Sequence, residues 1–286
     1  MSNTPDGVDP QELTVVARRV LLDGLKALES HLEAITVVGA QAVHLRTPSA
    51  AMRSAPFTAD GDLSVDPLLL PDEPLIEQAL ENAGFELRQQ NQPGRWARAE
   101  KVGDKIVPVE LDLLVPENLT KRGSRSARIP PHGRLCARWV SGLEVAAVDR
   151  SPMTISSLEA DDPRTVTVNV AGPAALLVAK AYKIDDRRDQ AATSPDRLTN
   201  KDAGDVLRLM MTIDAREVAV SFAALREDPR VGATATEGAE RLYRLFGGAS
   251  APGVDLAVAA LQGDVPEARV RALAPAFVKR LRVNEP

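Results

Sequence analysis

The run Ile106–Val115 constrains this chain more than any other ten residues. Val107, Val109, Leu111 and Leu113 alternate onto one face, while Glu110 and Asp112 fall on the other. A period of two marks a strand with one buried face. The opposite face, with two carboxylates, is what a metal ligand requires, or else the solvent face of an edge strand.

A second stretch, Ala34–Asp66, supplies more of the same chemistry. The β-branched run Ile35, Thr36, Val37, Val38 stops at Gly39, and Ala40, Ala42, Val43 and Leu45 follow at helical spacing. A polar loop with Arg46, Pro48, Arg53 and Pro56 then delivers Asp60-Gly61-Asp62 onto the apolar run Leu63-Ser64-Val65. Carboxylates at i and i+2 of a strand point to the same side and repel each other. A divalent cation with oxygen ligands removes that conflict. A third carboxylate from a neighbouring strand completes a site for two metals, which stabilises the attacking and leaving oxygens of an in-line displacement. Glycine before a helix lets backbone N–H groups approach a phosphate.

The ordered set Gly39, Asp60, Asp62, Asp112 resembles the signature of the nucleotidyltransferase superfamily, the DNA-polymerase-β-like fold. Further on, AKAYK (Ala179–Lys183) followed by KDAGDVLRL (Lys201–Leu209) resembles the second half of the AbiEii/MenT-type toxins of toxin–antitoxin and phage-defence systems. The resemblance implies an α+β protein: a nucleotidyltransferase-like mixed β-sheet domain with helices over residues 10–170, then a helical C-terminal domain over 171–286. It implies an enzyme that uses Mg2+ (or Mn2+) to move a nucleoside monophosphate from an NTP to an acceptor hydroxyl, with tRNA as acceptor and an antitoxin protein as partner. Asp60, Asp62 and Asp112 are the implied catalytic residues and metal ligands, with Glu110 in reserve for Asp112. The implied nucleotide-binding residues are the Gly39-Ala40 turn, Arg53, Thr58, Lys180 or Lys183, Lys201, Asp202 and Asp205. Gly39 is followed by Ala40 where the family carries Gly or Ser, and the gap to Asp60 is longer than usual. Those departures motivate the alternative of a non-catalytic nucleotide- or partner-binding protein. A third reading is a transferase that modifies a small molecule or a protein.

The other elements are read from local signals. Asp9-Pro10-Gln11-Glu12 opens a helix, with Asp at the cap and Pro in the first turn. His31 stands at a helix end, where a positive imidazole is favoured, and His44 follows Gly39 on the short helix. Residues 73–83 read as a helix, Phe85–Leu87 and Arg95–Ala99 as paired strands, and Val145 and Ala147 as part of a β-type run. PAALLVAKAYKIDDRRD is a helix, Arg187–Arg197 a charged loop, and the chain from Asp214 onward helical. Lys121–Arg138 contains Lys121, Arg122, Arg125, Arg128, Arg134 and Arg138 and no acid. Read as a loop, it offers a footprint for RNA phosphates through Lys121, Arg122, Arg125 and Arg128.

Composition sets limits. With 286 residues, 44% hydrophobic, the chain can bury an ordinary core. A formal net charge of −5 argues against a nucleic-acid-binding surface all over, though not against a local patch. One cysteine, Cys136, excludes an internal disulfide framework and a cysteine-rich zinc site. The opening MSNTPDGVDPQEL is acidic and polar, unlike a secretory leader, and no run reaches the length of a membrane span. A cytoplasmic protein without a membrane partner is the expectation.

Overall fold

The computed structural model describes residues 7–48, 58–89, 91–120, 125–194, 196 and 198–282. Among them the chain is α+β, with a mixed eight-stranded sheet and nine helices. It divides into two compact units. The first is Met1–Ala42, Pro56–Ser141 and Arg150–Ala171; the second is Val43–Ala55, Gly142–Asp149 and Gly172–Pro286.

The first unit holds the whole sheet. Its strands are β1 (Ile35–Val38), β2 (Asp60–Val65), β3 (Glu86–Leu87), β4 (Arg95–Val102), β5 (Lys105–Pro116), β6 (Arg138–Val140), β7 (Arg150–Ser156) and β8 (Thr165–Ala171). The order is β3-β4-β5-β2-β1-β8-β7, with β6 beside β5. β5 runs parallel to β2 and antiparallel to β4. Where β4 starts, with Arg95 opposite Asp112, β6 takes over along the same edge, with Arg138 opposite Leu114.

Helix α1 (Pro10–Ala27) starts as its sequence dictates: Asp9 Oδ1 accepts from the Gln11 N–H at 2.9 Å, and Pro10 occupies the first turn. Leu13, Val16, Ala17, Val20, Leu21 and Leu25 are buried, and α1 lies on β2, β4 and β5. Gly24 permits the close approach, since a Cβ there would stand 2.5 Å from Leu111 Cδ2. Helices α2 (Gly39–Arg46) and α3 (Ile76–Asn82) are short. His31 is not the charged helix-end residue expected. It is buried, with Nε2 2.8 Å from the Pro74 carbonyl, and burial, aided by His132, lowers its pKa.

The second unit is built from α4 (Pro173–Asp189), α5 (Lys201–Thr212), α6 (Ala215–Glu227), α7 (Gly232–Phe246), α8 (Pro252–Ala260) and α9 (Glu267–Arg282). Its core includes Leu177, Val206, Phe222, Leu242 and Phe246. α4 keeps Arg187 and Arg188 in its last turn, where the expected loop would have begun and where cations suit the helix dipole. Glu144–Ala147 is a 3-10 turn, not the strand that Val145 and Ala147 suggested. The turn leads to Asp149, whose Oδ2 accepts from the Ala175 N–H at 2.8 Å. That bond caps α4, whose own N-cap, Gly172, has no side chain to do it. Among the described residues no helix is long and apolar enough to cross a membrane.

Leu111, fully buried beneath Leu21 and Gly24, is the test of this packing. Leu111→Ala should lower unfolding free energy by about 2–5 kcal/mol, measured by urea denaturation. Ile106→Ala, on the same strand at 77% exposure, should stay within about 0.5 kcal/mol of wild type.

Candidate active site

Strand register assembles the acids. Asp60 lies opposite Glu110 and Asp62 opposite Asp112 on the parallel pair β2–β5. A Cβ on Gly61 would meet Leu21 and Leu111 on the α1 side, so Asp60 and Asp62 project from the other face. Adjacent strands sit about 4.8 Å apart, so four carboxylates form a two-by-two block. Asp60, Asp62 and Glu110 are part-buried; Asp112 is 7% exposed.

Two neighbours shape the block from the β2 side. Thr58 is buried, and its hydroxyl donates to Asp60 Oδ1 at 2.7 Å. It orients Asp60, a more specific role than the phosphate contact expected. Gly39 follows β1 with φ of 68° and lies against Asp62, whose carboxylate a Cβ would strike. Only glycine meets both demands. Ala40 is buried behind it.

Arginines approach from the β4 side. Arg88 and Arg95 both pair with Glu110, Arg95 through Nη2 at 2.6 Å and Nε at 3.2 Å. Arg138 donates through Nη2 to Asp112 Oδ2, and Arg95 Nε stands 4.0 Å from Asp112 Oδ1. Arg138 is therefore a strand residue paired with an acid, not one of the loop charges expected. Sequence reasoning missed Arg95 and Arg138 as site residues. The one signal present was the period of two on β4, which aligns Arg95 with the acidic face.

Asp112 is electrostatically frustrated. Burial pushes its carboxyl up to about 7; Asp62 and Asp60 push the same way, and Arg138 and Arg95 oppose them. Its Oδ1 is buried and, among the described residues, accepts no hydrogen bond. A buried acceptor left without a partner is costly, and a hard cation is the ligand that suits it. Asp60, Asp62 and Asp112 thus fit Mg2+ or Mn2+ in donor chemistry. Among the described residues, no three His, Cys, Asp or Glu side chains already converge as a metal cage.

The second unit holds the other predicted residues. Lys180 is buried, with Nζ 2.7 Å from Asp202 Oδ1 and 2.6 Å from Asp205 Oδ2. Asp202 also takes Lys183 at 3.2 Å and Arg187 at 2.8 Å. Burial opposes the charge on Asp202, but these cations outweigh it and hold the carboxyl well below its usual range. Lys180 is raised above its usual value by the same pairs despite burial. Lys183, with a side chain 45% exposed, is the accessible one of the two lysines. Lys201 opens α5 and is exposed. His44 is lowered to about 4, chiefly by burial, so it is neutral near pH 7.

Arg125 and Arg128 are exposed. Arg53, Lys121 and Arg122 lie outside the described residues. Comparison of the chain with protein families, with characterised proteins and with solved structures returns no match.

The raised Asp112 carboxyl predicts a pH dependence with a definite sign. Its protonated form stabilises the fold fully below the unfolded value of about 3.9, and that contribution is lost as pH rises through 7. Relative to Asp112→Asn, wild type should therefore lose stability between pH 4 and pH 7, by at most about 4 kcal/mol. Urea denaturation of both proteins at pH 5 and pH 8, without divalent cations, measures it. A flat difference would contradict the assignment.

Proposed function

We propose that this chain is a nucleotidyltransferase that moves a nucleoside monophosphate from an NTP to an acceptor hydroxyl, with Mg2+ or Mn2+ held by Asp60, Asp62 and Asp112. The observation that carries the proposal is the β2–β5 register, which puts Asp62 opposite Asp112 with an unsatisfied, buried Oδ1. When bound, the divalent cation supplies positive charge for the triphosphate and the departing pyrophosphate.

The chain's own groups account for the rest. Thr58 fixes the orientation of Asp60 through its 2.7 Å hydrogen bond. Gly39 leaves room for the Asp62 carboxylate beside the β1–α2 turn. Asp112, opposite Asp62 on the parallel pair, would take the proton of the acceptor hydroxyl. The acceptor oxygen attacks the α-phosphorus as its proton leaves, and the bond to the bridging oxygen breaks to release pyrophosphate. Arg95 and Arg138 present guanidinium forks next to these acids, a geometry suited to phosphate oxygens. A tRNA acceptor, a role as a toxin and an antitoxin partner belong to the same proposal, and the family resemblance alone supports them.

The second reading is a non-catalytic nucleotide- or partner-binding protein. The ion pairs on Glu110 and Asp112 favour it, because they satisfy acids that a metal would otherwise claim. The two readings separate in one assay: Mg2+, each α-labelled NTP and total tRNA, beside Asp60→Ala. Transfer predicts label in RNA that falls at least about a hundredfold in the variant, the scale of losing one charge-stabilising group. Label in protein redirects the acceptor. No label, with a non-hydrolysable NTP still bound in calorimetry, selects the second reading. Lys183→Ala in the same assay tests whether the exposed lysine of α4 takes part.

A further inference from the structure

Among the described residues, seven charged groups gather at the polar face of β2, β4, β5 and β6: the carboxylates of Asp60, Asp62, Glu110 and Asp112, and the guanidiniums of Arg95, Arg138 and, reaching in from beyond β3, Arg88. With all seven ionised, four against three leaves a balance of only −1 among them. A bare divalent cation would turn that into +1 and would have to compete with Arg138 for Asp112. A cation that arrives with a triphosphate meets a different balance, because the nucleotide brings several negative charges and a displaced guanidinium then has phosphate oxygens to pair with.

The two arginines nearest Asp112 are not equivalent. Arg95 is anchored: two of its nitrogens bond Glu110 Oε2, and Nη1 bonds Gln92. Arg138 has a looser hold. Among the described residues its one ion pair is to Asp112, and its buried Nε has no hydrogen-bond partner. Its side chain remains 31% exposed. The fork is therefore only partly used.

We propose that Arg138 is a latch: it holds the cation's place on Asp112 and passes to the nucleotide's phosphates when cation and nucleotide bind together. This rests on the nucleotidyl-transfer reading of the same face. The latch makes cation affinity conditional on nucleotide. It keeps the buried Asp112 paired while the site is empty, and it discharges the guanidinium onto the substrate once the cation takes its place.

The test uses the full chain and readouts other than activity. Free Mn2+ is titrated by electron paramagnetic resonance at pH 8, and binding of an α,β-methylene NTP with Mn2+ is measured by calorimetry. These are done for wild type, Arg138→Gln, Arg138→Lys and Asp60→Ala, each checked for folding by thermal denaturation. Removing a charge-assisted hydrogen bond that competes with the cation should tighten bare Mn2+ binding in Arg138→Gln by about tenfold or more. The same variant should bind the Mn2+–nucleotide complex about tenfold more weakly. Arg138→Lys, which keeps the charge, should stay close to wild type for bare Mn2+. Opposite shifts for the two ligands support the latch, since a merely structural arginine would weaken both. If Arg138→Gln lowers both affinities or changes neither, while wild-type binding still depends on Asp60, the latch is overturned and the transferase reading survives. If no protein binds Mn2+ with or without nucleotide, both fall together.

Discussion

Four carboxylates held in register on two adjacent strands repel one another, and the centre of the sheet is arranged around that fact. Two unit charges about 5 Å apart at an effective dielectric of 20 interact by roughly 3 kcal/mol. An exposed ion pair returns about 1 kcal/mol at most. The compensation must therefore come from partly buried arginines close to the acids, and the edge of β5 provides it. β4 starts at Arg95, opposite Asp112, and β6 starts at Arg138, opposite Leu114. One long strand borrowing two short neighbours brings two guanidiniums to one aspartate. The opposite face of the same strand is ordinary core, with Val109, Leu111 and Leu113 fully buried.

Two buried aspartates show how the count of neighbours decides chemistry. Asp202 receives Lys180, Lys183 and Arg187 and stays ionised well below its usual range. Asp112 is about as deeply buried, but its two arginines are set against Asp62 and Asp60, and burial carries its carboxyl upward. The first is a satisfied network: removing Lys180 would take the ion pair from Asp205 and leave Asp202 to Lys183 and Arg187, a loss of about 3–5 kcal/mol for a buried pair. The second keeps one oxygen unsatisfied. Strong perturbation together with an unmet hydrogen-bonding group is a feature of functional sites more than of scaffolding.

Much of this was legible in the residues, because the signals were local. Asp9-Pro10 marks the start of α1, the alternation from Val107 to Leu113 marks β5, and PAALLVAKAYKIDDRRD coincides with α4. The Asp60-Gly61-Asp62 pattern predicts a shared face for its acids, and the strand has that geometry. What was not legible depends on contacts between distant segments. Arg138 looked like one charge in a basic run because nothing local says that it will pair across 26 residues with Asp112. Val145 has strand propensity, but its segment serves as a connector that brings Asp149 to the start of α4. His31 sits where a charge suits a helix end, yet tertiary burial overrides the dipole.

The choice between Glu110 and Asp112 as third acid, open from alternation alone, acquires a physical basis in these pairings. Both stand on the same face of β5, opposite Asp60 and Asp62 in turn. Glu110 has both oxygens engaged, Oε1 by Arg88 and Oε2 by Arg95. Recruiting it to a cation would release two guanidiniums at once onto a face that the cation has already made positive. Asp112 needs only Arg138 to turn aside, and its Oδ1 is unengaged by hydrogen bonds. Glu110 then serves separately as the anchor that keeps Arg95 beside Asp112, so that the arginine that stays and the arginine that moves are distinguished by their partners. Burial, with Asp62 and Asp60, is what raises the Asp112 carboxyl, and Arg138 works against that rise. Drawing Arg138 away without a cation to replace it would therefore leave the buried acid less able to hold its charge.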